Sequence, residues 1–117
     1  MDYLERLAQG IDRQHAEFAE NILAWLLMND DNLVVRHEAA FILGQLYKRG
    51  EIIGSIAFQT LLESVQRDAS VVVRHEAAES LGWFSHPDAI QALKEIAEDP
   101  NAEIAITAKL GLCRLLG

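Results

Sequence analysis

One stretch of seven residues occurs twice in this chain, and it limits the possible folds more than any other feature. The stretch VVRHEAA fills residues 34–40 and again residues 72–78 of a chain of 117. The likeness extends further, since a Leu-Gly pair follows both copies at the same distance. A third, degenerate copy, EIAITAKLGLCRL, fills residues 103–115. Copies spaced by about 30 to 45 residues are typical of stacked supersecondary units that share one continuous core.

The sequence around the copies predicts helices and no strands, because apolar residues recur at helical spacing between polar segments such as MNDDN, KRGE and QRDAS. We predict helices at about 13–28, 33–48, 53–66, 71–84, 87–98 and 101–115, with a short lead-in helix before Gly10. The predicted fold is all-α, a single domain over residues 1–117. It is a short α-solenoid of about three HEAT-like helix pairs, at about 13–48, 53–84 and 87–115.

Charge and composition narrow the choice of partners. The net charge of −8 argues against nucleic acid, whose binders carry basic patches, and favours cationic partners, although solubility alone would also explain it. No apolar run approaches the ~18 residues that span a bilayer, and the first residues do not resemble a signal peptide. Cys113 is the single cysteine, which excludes a disulfide framework. We therefore expect a cytoplasmic protein that does not bind membranes, with Cys113 packed in the core.

The repeated His-Glu pair stands outside the packing pattern. On a helical wheel the apolar residues of each copy fall on one side, and His37 and His75 fall on the opposite side. The predicted core stripes are Val35, Ala39, Ile42, Leu43 and Leu46 in the first copy, and Val73, Ala77, Leu81 and Phe84 in the second. In the third copy Ile106 and Thr107 replace the pair. Helix packing therefore does not require His-Glu.

Metal binding is the chemistry that best fits two such pairs. Adjacent residues on a helix point ~100° apart, so one pair cannot easily hold an ion alone. Packed helix axes lie ~8–10 Å apart, so pairs on neighbouring helices can converge. Two imidazoles and a carboxylate suit non-haem Fe(II), and zinc also accepts them. The alternative is that both pairs are solvent-exposed residues at a helix start, where Glu38 and Glu76 interact favourably with the helix dipole. This alternative does not explain His37 and His75.

Other polar and aromatic residues carry weaker signals. Glu79 lies four residues after His75 on the same helical face, so it either belongs to the same site or is an ordinary exposed residue. Phe41 takes the matching place in the first copy and would form an apolar wall. Of the remaining residues, His15 is predicted at the surface, His86 in a turn or helix cap, and Trp25 in the core.

The motifs resemble those of the deoxyhypusine hydroxylase family, HEAT-repeat di-iron enzymes with four His-Glu motifs, two in each half. RHEAAFILGQL resembles the first motif of a half, and VVRHEAAESLGWF resembles the second. SHPDAIQALKEIAEDPNAEIAITAKLGLCRL resembles the helix pair that closes a half. The resemblance covers about residues 12–115 and departs from the family in the number of motifs, two instead of four.

The resemblance implies a function for the paired motifs. His37, Glu38, His75 and Glu76 would supply one iron site, with Glu38 and Glu76 in catalytic roles and Glu79 contacting the substrate. A di-iron centre would then need a homodimer with two non-haem irons. Its reaction would be the hydroxylation, with dioxygen, of a lysine-derived cationic amine side chain of a protein, or of a small amine. Two alternatives remain open: a protein-binding HEAT-like scaffold or lyase-type chaperone, and a metal-binding protein without oxygenase activity.

Overall fold

The computed structural model describes residues 13–117, with side chains from His15 onwards, and within this range every regular element is a helix. The helices are α1 (Arg13–Asn29), α2 (Leu33–Lys48), α3 (Ser55–Arg67), α4 (Val71–Leu81), α5 (Pro87–Ile96) and α6 (Ala102–Leu116). The predicted lead-in helix before Gly10 lies outside the described residues. No helix in the described range is both long and apolar enough to cross a membrane.

Two helix boundaries differ from the predicted ones for local backbone reasons. α3 begins at Ser55 because Gly54 adopts a left-handed conformation with φ of +89°. α4 ends at Leu81 rather than at about residue 84, because the N–H groups of Trp83 and Phe84 bond to carbonyls three residues back and tighten the chain into a turn. The remaining helix ends lie within two residues of the predicted positions.

The helices form two layers, with α1, α3 and α5 in one and α2, α4 and α6 in the other. Within the second layer α2 packs on α4 and α4 packs on α6. Each helix of this layer also packs on the helix that precedes it in sequence. The arrangement is a short helical solenoid, and it makes the two helices with His-Glu pairs direct neighbours.

The repeated stretch supplies the core of the second layer. The stripe predicted in the second copy is confirmed, since Val73, Ala77, Leu81 and Phe84 are all buried. In the first copy Ala39, Leu43 and Leu46 are buried, whereas Val35 and Ile42 are only half-buried. Ala40 and Gly44 are buried in their place, because this face of α2 packs on α4.

Two predictions about the core were wrong. Trp25 is 61% exposed, and it lies on the outer side of α1 together with Phe18 and Ile22. The core side of α1 is filled by other apolar residues, including Leu23 and Leu27, so a helix with apolar residues all round leaves one side uncovered in the described chain. Cys113 is also exposed, in the last turns of α6.

The Leu-Gly pairs bring the second-layer helices close together. A Cβ atom added to Gly44 would lie 2.4 Å from Oγ of Ser80 on α4. The Ser80 hydroxyl in turn donates a hydrogen bond of 2.8 Å to the carbonyl of Ala40. Between α4 and α6, a Cβ added to Gly111 would lie 3.0 Å from Cα of Gly82. Each glycine therefore removes a side chain where two backbones meet.

The arginine of the repeated stretch links each repeat to the next. Nε and Nη2 of Arg36 donate to the two carboxylate oxygens of Asp68, at 3.0 and 3.2 Å. Arg74 also binds the aspartate that precedes the next helix of its layer, because its Nη2 donates to Asp99, while its Nε donates to the carbonyl of Val65. The third copy has Ala105 at this position, so the series ends there within the described chain. Arginine in VVRHEAA thus belongs to the packing frame, a role that the sequence pattern alone did not reveal.

Candidate metal centre

A histidine from one repeat meets a glutamate from the next at the junction of α2 and α4. Nε2 of His37 lies 3.5 Å from Oε2 of Glu76. Glu76 is only 9% exposed, because α4 has helices of its own layer on both sides. No hydrogen bond reaches the Glu76 carboxylate from any other described side chain or backbone group, so His37 is its close partner in this part of the chain.

Two further side chains of α4, those of His75 and Glu79, lie close to Glu76. One potential ligand atom each from His75, Glu76 and Glu79 lies within 4.8 Å of the others. His75 and Glu79 are four residues apart, which places them on one side of the helix. Donors on opposite sides of one Fe or Zn ion stand about 4 Å apart, because each bond is about 2 Å long. The limit of 4.8 Å is slightly wider than this spacing, so a bound ion would have to draw the three side chains closer together.

The electrostatics of the cluster favour a cation. Burial raises the pKa of Glu76 above its ordinary value, and repulsion by the carboxylate of Glu79 raises it further. The imidazoles of His37 and His75 oppose this rise. A divalent cation bound among these groups would stabilise the ionised carboxylates against both burial and repulsion. Imidazole nitrogen and carboxylate oxygen are also the donors that Fe(II) and Zn(II) accept.

Glu38 occupies the same place in the first copy as Glu76 in the second, but its surroundings differ. Its carboxylate lies 3.6 Å from Nδ1 of His37, and its side chain is 60% exposed. α2 is the first helix of its layer in the described chain, so no described helix covers Glu38 from the other side. The four predicted ligands are therefore spatial neighbours in a row: Glu38 lies beside His37, His37 beside Glu76, and Glu76 beside His75.

Glu79 is the residue whose position the sequence reasoning only partly anticipated. The sequence suggested a substrate contact near His75, and the structure places its carboxylate among potential metal ligands. The segment HEAAE could have predicted this position, because a His and a Glu four residues apart lie on one side of a helix.

Apolar side chains surround this polar centre on the outward side of α2, α4 and α6, which we call the open face. Val34 and Phe41 lie on α2, Val72 on α4, and Ile106 and Leu110 on α6; all five are exposed. Large apolar residues grouped around a polar centre are typical of surfaces that bind a partner. Ile106 stands where the other copies have histidine, so the third repeat contributes an apolar edge.

The two remaining histidines lie apart from this centre. Nδ1 of His86 accepts a hydrogen bond of 3.0 Å from the backbone N–H of Asp88 and so caps α5, which confirms the predicted helix-cap role. His15 is exposed on α1, as predicted. Neither belongs to the cluster at the junction of α2 and α4.

Comparison with known proteins gives a family and a partial match to one class of enzyme. A family model described as HEAT repeats matches residues 20–113. Deoxyhypusine hydroxylase of Danio rerio is 38% identical over 88 residues, which cover 74% of this chain and 27% of the relative. The Homo sapiens enzyme is 34% identical over 97 residues, covering 80% of this chain and 30% of the relative. The chain thus matches less than a third of the length of these relatives.

A solved structure agrees with the sequence matches. The structure of human deoxyhypusine hydroxylase in complex with glycerol aligns with 97% of this chain at a TM-score of 0.67 and 26% identity. The aligned part is 43% of the human chain. The similarity therefore covers nearly all of this chain and somewhat less than half of the human one.

Proposed function

The chain belongs to the family of HEAT-repeat proteins, and from this premise, with its partial similarity to deoxyhypusine hydroxylases, we propose that it is a non-haem iron protein. His37, Glu38, His75 and Glu76 are the proposed ligands. The convergence of His75, Glu76 and Glu79 within 4.8 Å, with His37 reaching Glu76 from the neighbouring helix, is the observation that carries the proposal. Zinc fits the same donors, and a metal measurement decides between the two ions.

The proposed active unit is a homodimer with two irons. The chain has two His-Glu motifs, whereas the family that it resembles has four, so a di-iron centre needs a second copy. Phe41, Ile106 and Leu110 support this proposal, because they are exposed on the open face beside the ligands. Apolar side chains of this kind form the buried centre of stable interfaces. The cytoplasm is the proposed location.

The proposed reaction is the hydroxylation of a cationic amine, either a lysine-derived side chain of a protein or a small amine. Bound iron would supply the activation of dioxygen; one oxygen atom would enter the substrate and the other would leave as water, with the two electrons supplied by the two Fe(II) ions and restored by an external reductant. The chain's own residues would then hold and orient the substrate. Glu79 is exposed beside His75 and would accept hydrogen bonds from the ammonium group. Phe41, at the matching position on α2, would line the alkyl part and exclude water.

Each glutamate of the repeated pairs has a proposed role that follows from its surroundings. Glu76 is nearly buried between His37 and His75 and would act as a ligand whose charge the metal stabilises. Glu38 is exposed and lies beside Nδ1 of His37. Besides its proposed role as a ligand, it would orient that imidazole for metal binding, and its second carboxylate oxygen would take up or deliver a proton at the open face.

A scaffold without catalysis is a second candidate, and the exposed apolar residues of the open face favour it. A protein-binding HEAT-like scaffold or a lyase-type chaperone would use this face for a partner and would need no metal. A metal-binding protein without oxygenase activity would keep the ligands and lack the reaction with dioxygen.

One experiment separates these functions. The protein is purified, supplied with Fe(II) without oxygen, desalted and assayed for metal, and its absorbance is recorded after exposure to dioxygen. The proposal expects about one iron per chain and an oxygen-dependent visible band, both lost in His37→Ala and His75→Ala. His86→Asn is the matched control, because it removes an imidazole and keeps a side chain that caps α5. Iron without the band supports the metal-binding protein, and no bound metal supports the scaffold.

Light scattering on the iron-loaded protein tests the dimer separately. We expect a dimer at micromolar concentration, and we expect Phe41→Asp to convert it to a monomer. A strict monomer with iron bound would overturn the shared di-iron centre while leaving the metal site intact.

A further inference from the structure

A tryptophan just past the end of α4 lies between two cations from the neighbouring helices. Nζ of Lys48, in the last turn of α2, is 3.9 Å from the centroid of the Trp83 ring. Cζ of Arg114, in the last turn of α6, is 3.8 Å from the same ring. Because α2 and α6 pack on different sides of α4, we place the two cations on opposite faces of the ring.

The two cations have no acidic partner in the described chain. Neither Lys48 nor Arg114 forms an ion pair with any described carboxylate; Arg36 and Arg74, by contrast, each bind an aspartate. Two like charges held 3.9 and 3.8 Å from one ring centroid repel each other. Cation–π contact with Trp83 offsets part of this repulsion. Although the chain carries a net charge of −8, two cations without a carboxylate partner meet at this one ring.

The edge of the indole adds a third positive feature. No described residue accepts a hydrogen bond from Nε1–H of Trp83, and the ring is half-exposed. An indole N–H is a donor only, and the edge of an aromatic ring is electrostatically positive. To contact a group at this edge, the flexible ends of Lys48 and Arg114 would have to move outward from their positions over the ring.

From this arrangement we propose that Lys48, Trp83 and Arg114 form an anion-binding site for a carboxylate or phosphate group. Both cations would donate charge-assisted hydrogen bonds to the anion, and the indole N–H would donate a third. The helix dipole already favours cations in the last turn. It does not explain why cations of two different helices meet on one tryptophan.

The position of this site suggests what its ligand carries. Trp83 lies four residues after Glu79, which corresponds to about 6 to 8 Å along the chain in a helix or tight turn. A molecule with an amine at the His-Glu cluster and an acidic group at this distance would reach both sites. The amine end of such a ligand rests on the proposed function; the anion site itself does not.

The anion site is tested first with anions alone. Trp25→Phe leaves Trp83 as the single tryptophan, so its fluorescence reports on the site. The protein without added metal is titrated with inorganic phosphate and, separately, with acetate, at an ionic strength held constant with chloride. We expect a saturable change in fluorescence. Comparison of the two dissociation constants shows whether the site prefers phosphate or carboxylate. A change that follows ionic strength alone, or no change, overturns the site.

Charge-removing variants then test which residues bind the anion. Lys48→Gln and Arg114→Gln should each weaken binding about tenfold, the effect expected for one lost charge-assisted hydrogen bond. Lys48→Arg should retain most of the affinity. Lys94→Gln is the matched control, because Lys94 is an exposed cation in the last turn of α5. If Lys48→Gln and Arg114→Gln lower only the stability to urea and leave anion affinity unchanged, the anion site is overturned. The two cations then serve only to stabilise helix packing through their contacts with Trp83.

A bifunctional ligand tests the connection between the two sites. We expect 6-aminohexanoate to bind more tightly than both hexanoate and hexylamine, with the gain lost in Arg114→Gln. Equal affinity of 6-aminohexanoate and hexanoate would leave the anion site standing and overturn its link to the amine site.

Discussion

Nε2 of His37 and Oε2 of Glu76 lie 3.5 Å apart, although the two residues belong to different repeats. Each comes from a copy of the same seven residues, so the contact joins the histidine of one copy to the glutamate of the next. The two His-Glu pairs therefore form one connected cluster at the junction of α2 and α4. Loss of either histidine should affect the same metal.

Removal of the His37 imidazole tests this connection. We expect His37→Asn to lower iron affinity at least about tenfold, because the cluster loses a donor and Glu76 loses its partner. The free energy of unfolding should change little, since His37 lies at the surface of its layer. The measurement is a competition titration against a chelator. Equal affinity of His37→Asn and the control His86→Asn would contradict a shared site.

The raised pKa of Glu76 predicts a pH dependence of stability in the metal-free protein. Burial, then repulsion by Glu79, raises this pKa above the ordinary value of 4.5, so the folded state holds the proton more tightly than the unfolded chain does. The stabilisation is complete below the unfolded pKa and is lost as the pH rises through the folded pKa. Glu76→Gln stays neutral, so its stability relative to the parent should increase with pH across that window.

Urea unfolding of the metal-free protein between pH 4 and pH 8 measures the difference between Glu76→Gln and the parent. Glu63→Gln serves as the control, because it removes an exposed carboxylate of α3 outside the cluster. A difference for Glu76→Gln that is constant, or that falls with rising pH, would contradict the proposed effect of burial.

Glu79 has two chemically reasonable roles, and a neutral isostere distinguishes them. As a substrate contact, Glu79→Gln should keep about one iron per chain and weaken the binding of hexylamine to the iron-loaded protein about tenfold. The reason is that the amide keeps the shape and loses the charge that pairs with the ammonium. Glu98→Gln, at an exposed residue outside the cluster, should change neither quantity. Loss of iron in Glu79→Gln would instead make this residue a third ligand on α4.

The helices could be predicted from sequence because their ends are marked locally. Asn32, Ser70 and Asn101 each accept a backbone hydrogen bond in the first turn of the helix that they cap. Asn32 and Ser70 belong to polar segments from which the starts of α2 and α4 were predicted, whereas the start of α6 was predicted one residue early, at Asn101 itself. The histidines of the repeated stretch were likewise separated from the core by helical periodicity alone.

The difference between Glu38 and Glu76 could not be predicted in the same way. Both glutamates lie within the same seven letters, yet the first is exposed and the second is nearly buried. The cause is tertiary, because α4 has neighbours on both sides in its layer and α2 has one among the described helices. The exposure of Trp25 has a similar cause, since an apolar helix does not itself reveal which of its sides is covered.

The contact between Arg36 and Asp68 predicts that arginine and lysine are not interchangeable in the repeated stretch. Two nitrogens of Arg36 bind the two carboxylate oxygens of Asp68, and the two side chains are only 15% and 5% exposed. Lysine keeps the charge but cannot make the paired contact. We expect Arg36→Lys to lower the free energy of unfolding by about 1–2 kcal/mol, as measured in urea. Arg67→Lys, at an exposed residue of α3, should have no measurable effect.

Gly44 predicts a link between helix packing and the metal site. A methyl group at this residue would lie 2.4 Å from Oγ and 2.7 Å from Cβ of Ser80. Gly44→Ala should therefore force α2 away from α4 and cost about 1–3 kcal/mol of stability. The same displacement would separate His37 from Glu76, so iron affinity should fall although no ligand has changed.

The partner substitution distinguishes crowding from a general effect of alanine. Ser80→Gly removes both side-chain atoms that the new methyl group would meet, and it also removes the hydrogen bond to the carbonyl of Ala40. The combined Gly44→Ala and Ser80→Gly protein should be more stable than the sum of the two single effects implies, by about 0.5–3 kcal/mol. It should also regain part of the iron affinity lost in Gly44→Ala. Strict additivity in both quantities would show that contact between these two residues does not set the distance between α2 and α4.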